Sequence, residues 1–282
     1  MRPGRRRFGV VSLPALDVRS RPDHRSELKS QLLMGEVVRR LALSRDGRWW
    51  KAENAVDRYV GWVRIWGLVE AGPRRIAVWR RRARGRVIVS HAEVRLKPGG
   101  SVVSPLFWNG RVIPGRTRGR ERRVELPDGR RGWVSRQAVV VGSRHRPSLL
   151  DRVRALLGVP YLWGGRTCMG FDCSAFTQQV MLEQGVALPR DAAQQFRCTR
   201  PLRPREEPRE GDLIFFGLRA PAVGHVGVVL GGGYYAHSRG RVRISSADPR
   251  NPLWDIELAG QLLGVRRWVS GWRRGGFGAE SA

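Results

Sequence analysis

Two cysteines five positions apart, Cys168 and Cys173, sit in the stretch YLWGGRTCMGFDCSAF at residues 161–176. Three chemistries are open to such a pair: a disulfide, a share in a metal site, or one nucleophilic thiol beside an inert one. Zinc takes four ligands at short, familiar spacings, and these two thiols with the single distant Cys198 do not supply them. No metal and no cofactor is expected. Three cysteines in 282 residues are also too few, and odd in number, for a disulfide-stapled secreted scaffold. The third chemistry has a positional argument. The run CSAFTQQVMLEQG has helical spacing, with Cys173, Phe176, Val180 and Gln184 on one face, Asp172 at the N-cap and Gly185 past the end. A thiol in the first turn of a helix faces unpaired backbone N–H groups, which favour thiolate. Cys173 is therefore the candidate nucleophile. Cys168, on the glycine-flanked loop before it, has no such help.

A cysteine nucleophile needs a base to take its proton and a third group to fix that base's orientation and tautomer. His225 opens the apolar run HVGVVL and His237 closes YYAH, with Gly231, Gly232 and Gly233 between them. A three-residue glycine loop would make paired positions sum to 464, setting His225 opposite Arg239 and His237 on the same face, two residues away. Such diagonal neighbours lie about 7–8 Å apart, within reach of two imidazoles. A two-residue turn would shift the register and send His237 to the other face. The reading is thiol, base and orienter.

The elements that position these groups follow from periodicity. Around the motif, the segment SLLDRVRALLGVP has Leu149, Leu150, Val153 and Leu157 at helical spacing, Ser148 as N-cap, and Gly158 with Pro160 as a stop. Past a polar, proline-rich stretch come the strands LIFF, HVGVVL and YYAHS, an α+β order. The first half is different. LDVRSRPD at 16–23 is echoed by AEVRLKPG at 92–99, and DRYVGWV at 57–63 by GRRGWV at 129–134, offsets of 76 and 71 residues. Short strands separated by turns such as RDGR and PDGR predict a small all-β module used twice. The expected domains are 1–72, 73–144 and 145–282.

Charge is concentrated in the first half. Residues 1–144 hold 34 Lys+Arg against 12 Asp+Glu, and residues 145–282 hold 19 against 12. Only Lys29, Lys51 and Lys97 are lysines. Polyanion binding is one reading of this surplus. The arginines are scattered through strands and turns, however, and do not line one helix, so nucleic acid is not the expected partner. The cluster WRRRARGR at 79–86 reads as a solvated connector. No stretch approaches the roughly eighteen apolar residues that span a bilayer. The N-terminal stretch lacks a signal-peptide core, because Pro14 and Asp17 interrupt its apolar run. A cytoplasmic location is expected, with the cell envelope as the alternative.

The motifs YLWGGRTCMGFDCSAF, LPRDAAQQF, GDLIFF and GHVGVVLGGGYYAH, in that order over about residues 150–270, resemble the NlpC/p60 family of bacterial cell-wall cysteine peptidases. The repeat over residues 10–143 resembles bacterial SH3-like domains, with an early Val-Arg-x-x-Pro strand and a late Gly-Trp-Val strand. The resemblance implies a papain-like α+β peptidase domain behind two small all-β SH3-like barrels. It also implies Cys173 as nucleophile, His225 as general base and later acid, and His237 as orienter. The implied reaction is hydrolysis of the γ-D-glutamyl–diamino acid bond of murein stem peptides. Relatives that pair SH3-like modules with this domain take free peptides with an exposed L-alanine amine and release L-Ala-D-Glu. By that resemblance Tyr161, Asp172 and Ser174 hold the amine, and the first module contributes Tyr59 and an acid; Arg190 and Asp191 either line the cleft or form an ion pair that fixes their loop. Lys29 occupies the position aligned with that acid, which leaves Glu27, and Ala192 stands where the family often has Ser. Two other readings of the same residues are acyl transfer or thioester hydrolysis on this fold, and a non-catalytic protein that binds wall polymer.

Overall fold

The computed structural model describes residues 7–142, 147–219 and 222–269. They fall into two compact units, the first ending and the second beginning within 143–146. The domain junction expected at 144/145 thus lies outside the described residues.

The first unit holds two seven-stranded antiparallel modules. One comprises β1 (Phe8–Val11), β2 (Ala15–Arg19), β3 (Leu28–Leu33), β4 (Val37–Leu43), β5 (Trp49–Asn54), β6 (Val60–Arg64) and β7 (Leu68–Ala71). After helix α1 (Pro73–Arg82) the other comprises β8 (Gly85–Val87), β9 (His91–Arg95), β10 (Val102–Phe107), β11 (Arg111–Arg118), β12 (Glu121–Glu125), β13 (Arg131–Ser135) and β14 (Val139–Val141). Their strand orders are β3-β2-β6-β5-β4-β1-β7 and β10-β9-β13-β12-β11-β8-β14. The order is the same when each strand is shifted by seven. The cores correspond as well: Val18 and Val63 are buried in the first module, and Val94 and Val134 in the second.

The Gly-Trp-Val motif has a steric reason. A Cβ on Gly61 would lie 2.3 Å from Val18 Cγ1, and one on Gly132 would lie 2.5 Å from the Arg95 carbonyl oxygen. Each glycine lets its strand close on the strand that carries the early Val-Arg. A further glycine joins the two modules. Gly35, at φ +82°, runs against Arg111, whose N–H bonds the Met34 carbonyl at 2.8 Å. The side chain of Met34 is buried in the second module's core.

The segment expected as a solvated connector is structured. Ile76 and Trp79 of α1, with Ala83 beyond its end, are buried with Val10, Val37 and Ala71, and Trp79 Nε1 donates to the Gly35 carbonyl at 3.0 Å. Arg80 to Arg82 are exposed, at the helix end where cations are favoured.

The second unit begins with α2 (Leu149–Arg154), capped as expected by Ser148, whose hydroxyl accepts the Asp151 N–H at 3.0 Å. The helix stops early, so Leu156 turns inward and Leu157, expected on the buried face, is 48% exposed. A two-strand ribbon, β15 (Arg166–Thr167) and β16 (Gly170–Phe171), leads into α3 (Cys173–Glu183) and α4 (Ala192–Arg197). The sheet comprises β17 (Thr199–Pro201), β18 (Leu213–Arg219), β19 (Ala222–Gly231), β20 (Tyr234–Arg239) and β21 (Arg241–Ser246). It is completed, after the short α5 (Ile256–Ala259), by β22 (Leu262–Trp268), in the order β17-β22-β18-β19-β20-β21.

Helix α3 is enclosed on nearly every side and is not amphipathic. Its buried polar groups are paired: Arg152 grips Glu183 with two bonds of 2.6 and 2.9 Å, and Thr177 Oγ1 donates to Gln195 Oε1 at 2.8 Å. Buried polar atoms left without partners would each cost about 1–3 kcal/mol, so this pairing lets the helix be central.

Candidate active site

Cys173 is the first residue of α3, and Asp172 caps it by accepting the Ala175 N–H at 2.7 Å. Cys173 is 7% exposed, and the backbone N–H groups of Val226 on β19 and of its own neighbour Ser174 act to favour the charged form of its sulfur. Helix α3 packs on β19 and β20. The helix start therefore brings the thiol to the strand residue that follows His225. All three cysteines are free thiols, with Cys168 and Cys198 only partly buried.

The two histidines meet. His225 Nε2 and His237 Nδ1 are 2.8 Å apart, and the rings are nearly perpendicular, at 84°. The register that achieves this differs in detail from the expected glycine loop. Only Gly232 and Gly233 form the turn, both with φ > 0, as a two-residue hairpin favours. A bulge between Val229 and Gly231 adds the missing residue, so Gly227 pairs with His237 and Val228 with Ala236. The extra residue restores the frame that the tight turn alone would have broken. The sum of 464 holds through a different loop.

Electrostatics reverse one expectation. Burial pushes the Cys173 thiol up to about 11, aided by the charge of Asp172, while the Val226 N–H, Arg190 and the Ser174 N–H pull the other way. Burial outweighs the helix-start effect, so the resting sulfur is a thiol and not a thiolate. Burial likewise lowers His225 to about 4, with Arg239 and Arg243 adding and Asp255 opposing. His237 falls to about 3 through burial, then the charges of His225 and Arg243. At neutral pH the resting pair is neutral thiol and neutral imidazole.

Tyr161, half-buried, belongs to this neighbourhood. Burial pushes its phenol up to about 12, with the negative charge of Asp172 adding and Arg190 opposing. It therefore stays a hydrogen-bond donor throughout the neutral range.

The remaining expected contacts are arranged differently. Arg190 is 1% exposed and does not line a cleft. Its guanidinium is spent on Asp172 at 3.0 and 2.5 Å and on Ser174 Oγ at 2.9 Å. Asp172 also accepts from Gly164 N and Ser174 Oγ, so both of its oxygens are filled before any substrate arrives. The three residues fix the start of α3. Asp191 caps α4 through a capping box with Gln194. Tyr59 and Glu27 lie in the first unit. Glu27 is exposed, and Lys29 Nζ sits 4.9 Å over the Tyr59 ring, so one face of that ring already carries a cation.

Three residues near the histidines were not anticipated. Ser245 Oγ is 3.0 Å from His237 Nε2, Arg243 Nε is 3.4 Å from the same nitrogen, and Asp255 holds both Arg243 and Arg239. A signal existed in the sequence: Gly240 closes a second hairpin, and RVRISS then pairs His237 with Arg243 and Tyr235 with Ser245. Among the described residues no cluster of His, Cys, Asp and Glu is placed to hold a metal. No helix among them is long and apolar enough to cross a membrane.

Comparison with known proteins matches two stretches of the chain. Residues 158–262 match the NlpC/P60 family, and residues 18–68 match the bacterial dipeptidyl-peptidase Sh3 domain. The chain is 31% identical over 156 residues to the gamma-D-glutamyl-L-lysine dipeptidyl-peptidase of Bacillus cereus, covering 52% of this chain and 46% of that protein. It is 42% identical over 84 residues to the Bacillus subtilis protein of the same name, covering 29% and 28%. The chain thus spans less than half the length of these curated relatives. Among solved structures, an NlpC/P60 family protein from Bacillus cereus superposes with a TM-score of 0.78 at 20% identity, over 93% of this chain and 99% of that one. An NlpC/P60 endopeptidase from Photobacterium damselae gives 0.65 at 14%, over 86% and 66%. At such identities these likenesses establish fold. Residues 158–262 are thus similar to an NlpC/P60 domain, with an α+β fold shared with the Bacillus cereus structure, and residues 18–68 to a bacterial SH3 domain.

Proposed function

We propose that this NlpC/P60 domain is a cysteine peptidase that cleaves the γ-D-glutamyl–diamino acid bond of murein stem peptides, with Cys173 as nucleophile, His225 as base and His237 as orienter. The observation that carries the reading is the chain from His225 Nε2 to His237 Nδ1 at 2.8 Å, on strands against which the helix that begins with Cys173 packs. The names of the Bacillus relatives support the bond and the class of substrate.

The mechanism follows from the charges. Because the resting pair is neutral, the thiol gives up its proton to Nδ1 of His225 as it attacks the scissile carbonyl. Charge developing on the carbonyl oxygen is met by the N–H at the open start of α3, where the helix dipole adds its positive end. The His225 imidazolium then protonates the leaving amine, and water activated by the neutral imidazole hydrolyses the thioester. Tyr161 is the proposed donor to the substrate. Asp172 and Ser174, paired with Arg190, shape the wall and do not carry the amine as a free anion. Asp191, Tyr59 and Glu27 remain proposed contributors.

The second β-module is proposed as a diverged copy of the first SH3 domain, on the grounds of its identical strand order and the matching glycines Gly61 and Gly132.

A peptide panel tests the reading: L-Ala-γ-D-Glu-L-Lys, the diaminopimelate analogue, their N-acetyl forms, and intact murein, with products followed by mass spectrometry. Release of L-Ala-D-Glu from the free peptides and not from the acetylated ones is expected, and would favour a cytoplasmic recycling role. Cleavage of intact murein alone would place the protein in the envelope. Absence of any γ-D-glutamyl cleavage would overturn the assignment.

A further inference from the structure

We infer that Ser245 and Arg243 are opposed positioning residues, which decide which nitrogen of His237 carries its proton and thereby whether His225 can take a proton on Nδ1. The inference rests on the reading of His225 as the base.

One hydrogen lies between His225 Nε2 and His237 Nδ1, and either ring can own it. The choice is made at the far nitrogen of His237. Ser245 Oγ, 3.0 Å away, can accept from Nε2–H. Arg243 Nε, 3.4 Å away, can only donate, and so requires a bare Nε2. Arg243 thus demands a bare Nε2, whereas Ser245, whose hydroxyl can accept or donate, is the one neighbour that can accept from Nε2–H.

In the first arrangement His237 Nε2–H donates to Ser245 Oγ, and Nδ1 of His237 is bare and accepts the proton on His225 Nε2. A neutral imidazole holds one proton, so Nδ1 of His225 is then bare and ready for the thiol's proton. Ser245 lies opposite Tyr235 in the strand register, so its own hydrogen is free to turn toward that phenol, and the donors run in one direction from His225 to Ser245. In the second arrangement Arg243 donates to Nε2, His237 donates from Nδ1 to His225 Nε2, and neutral His225 carries its proton on Nδ1. That nitrogen then cannot act as a base.

Distance and burial favour the first arrangement. Ser245 is 3% exposed and sits at hydrogen-bond distance, whereas 3.4 Å is long for N–H···N. Arg243 is held back by Asp255, whose carboxylate takes its Nη2, takes Arg239 at 3.1 Å and caps α5 through the Leu258 N–H at 3.1 Å. Strands β19, β20 and β21 each supply part of the chain, through His225, through His237 with Tyr235 and Arg239, and through Arg243 with Ser245. Asp255 arrives from the start of α5.

The test is ¹⁵N NMR of the imidazoles in the full chain, together with kcat and KM across pH, for wild type, Ser245→Ala, Ser245→Thr and Arg243→Gln. In wild type and Arg243→Gln the His237 proton is expected on Nε2. In Ser245→Ala it is expected to move to Nδ1, with kcat down about tenfold or more, a modest share of what general base catalysis supplies, and KM within about twofold. Ser245→Thr restores both readouts. A wild-type His237 with bare Nε2, or a Ser245→Ala variant with unchanged tautomer and rate, would overturn the inference. The NMR readout needs no substrate, and in the wild type no variant, so it stands or fails separately from the peptidase reading.

Discussion

Arg190 lays its guanidinium along the carboxylate of Asp172, with Nη1 3.0 Å from Oδ1 and Nη2 2.5 Å from Oδ2, both side chains being buried. The residue that caps the nucleophile's helix is thereby held by a fork and not by a point charge. Arg190→Leu, which leaves a buried carboxylate without its cation, is expected to cost about 3–5 kcal/mol of stability. Arg190→Lys keeps the charge but loses the bidentate geometry and should fall between the two. Urea unfolding of the three proteins checks this order. A leucine variant as stable as wild type would show that the pair contributes nothing net.

The thiol's burial makes a kinetic prediction. A thiolate-forming cysteine with a depressed value reacts with iodoacetamide at a rate that levels off below pH 7. With the thiol pushed up to about 11, alkylation of Cys173 in the free enzyme should still be rising above pH 9. Site-resolved mass spectrometry of the alkylated peptide separates Cys173 from Cys168 and Cys198. A plateau below pH 7 at Cys173 would establish a resting ion pair instead.

The histidine pair predicts acid sensitivity. Both imidazoles lie below the ordinary 6.5, at about 4 and about 3. As pH falls through 6.5 the unfolded chain takes up these protons before the folded one does, so stability present above 6.5 is lost toward the folded values. A falling unfolding midpoint between pH 6.5 and 5, above the usual carboxylate range, is the expected signature. His237→Asn should flatten part of that slope. A flat wild-type profile over this window would contradict the burial of the pair.

Two glycines test the module packing. Gly61→Ala and Gly132→Ala each place a Cβ against the adjoining strand, at 2.3 and 2.5 Å, and overpacking of this kind costs about 1–3 kcal/mol. Gly224→Ala, where nothing lies within 4 Å, serves as the stability control. Equal melting temperatures for all three variants would remove the steric reason given for the repeated motif.

Local rules made the start of α3 legible in the sequence: Asp172 as cap, Cys173 in the first turn, and the His225–His237 register all follow from spacing. The register survived an error in the loop because a bulge compensated for the tighter turn. What spacing could not show was burial. The helix-start argument weighs only the dipole, whereas desolvation by the packed sheet dominates at Cys173. The partner of Arg190 was missed for the same reason, since Asp172 is 18 residues away and meets it only in the fold. The cluster WRRRARGR was read from its charges, while Ile76, Trp79 and Ala83, spaced on one helical face, determine that α1 packs. Ser245, Arg243 and Asp255 depend on a second hairpin and a later helix cap, each reasonable locally but joined only by tertiary contact.

The central claim is that the sulfur of Cys173, alone among the three, carries the chemistry. Its most direct test is release of L-Ala-D-Glu from L-Ala-γ-D-Glu-L-Lys by wild type, Cys173→Ala and Cys168→Ala, with folding of each verified by circular dichroism. Cys173→Ala is expected to release no dipeptide while Cys168→Ala keeps most of the wild-type rate. Undiminished release by a folded Cys173→Ala protein would contradict the assignment.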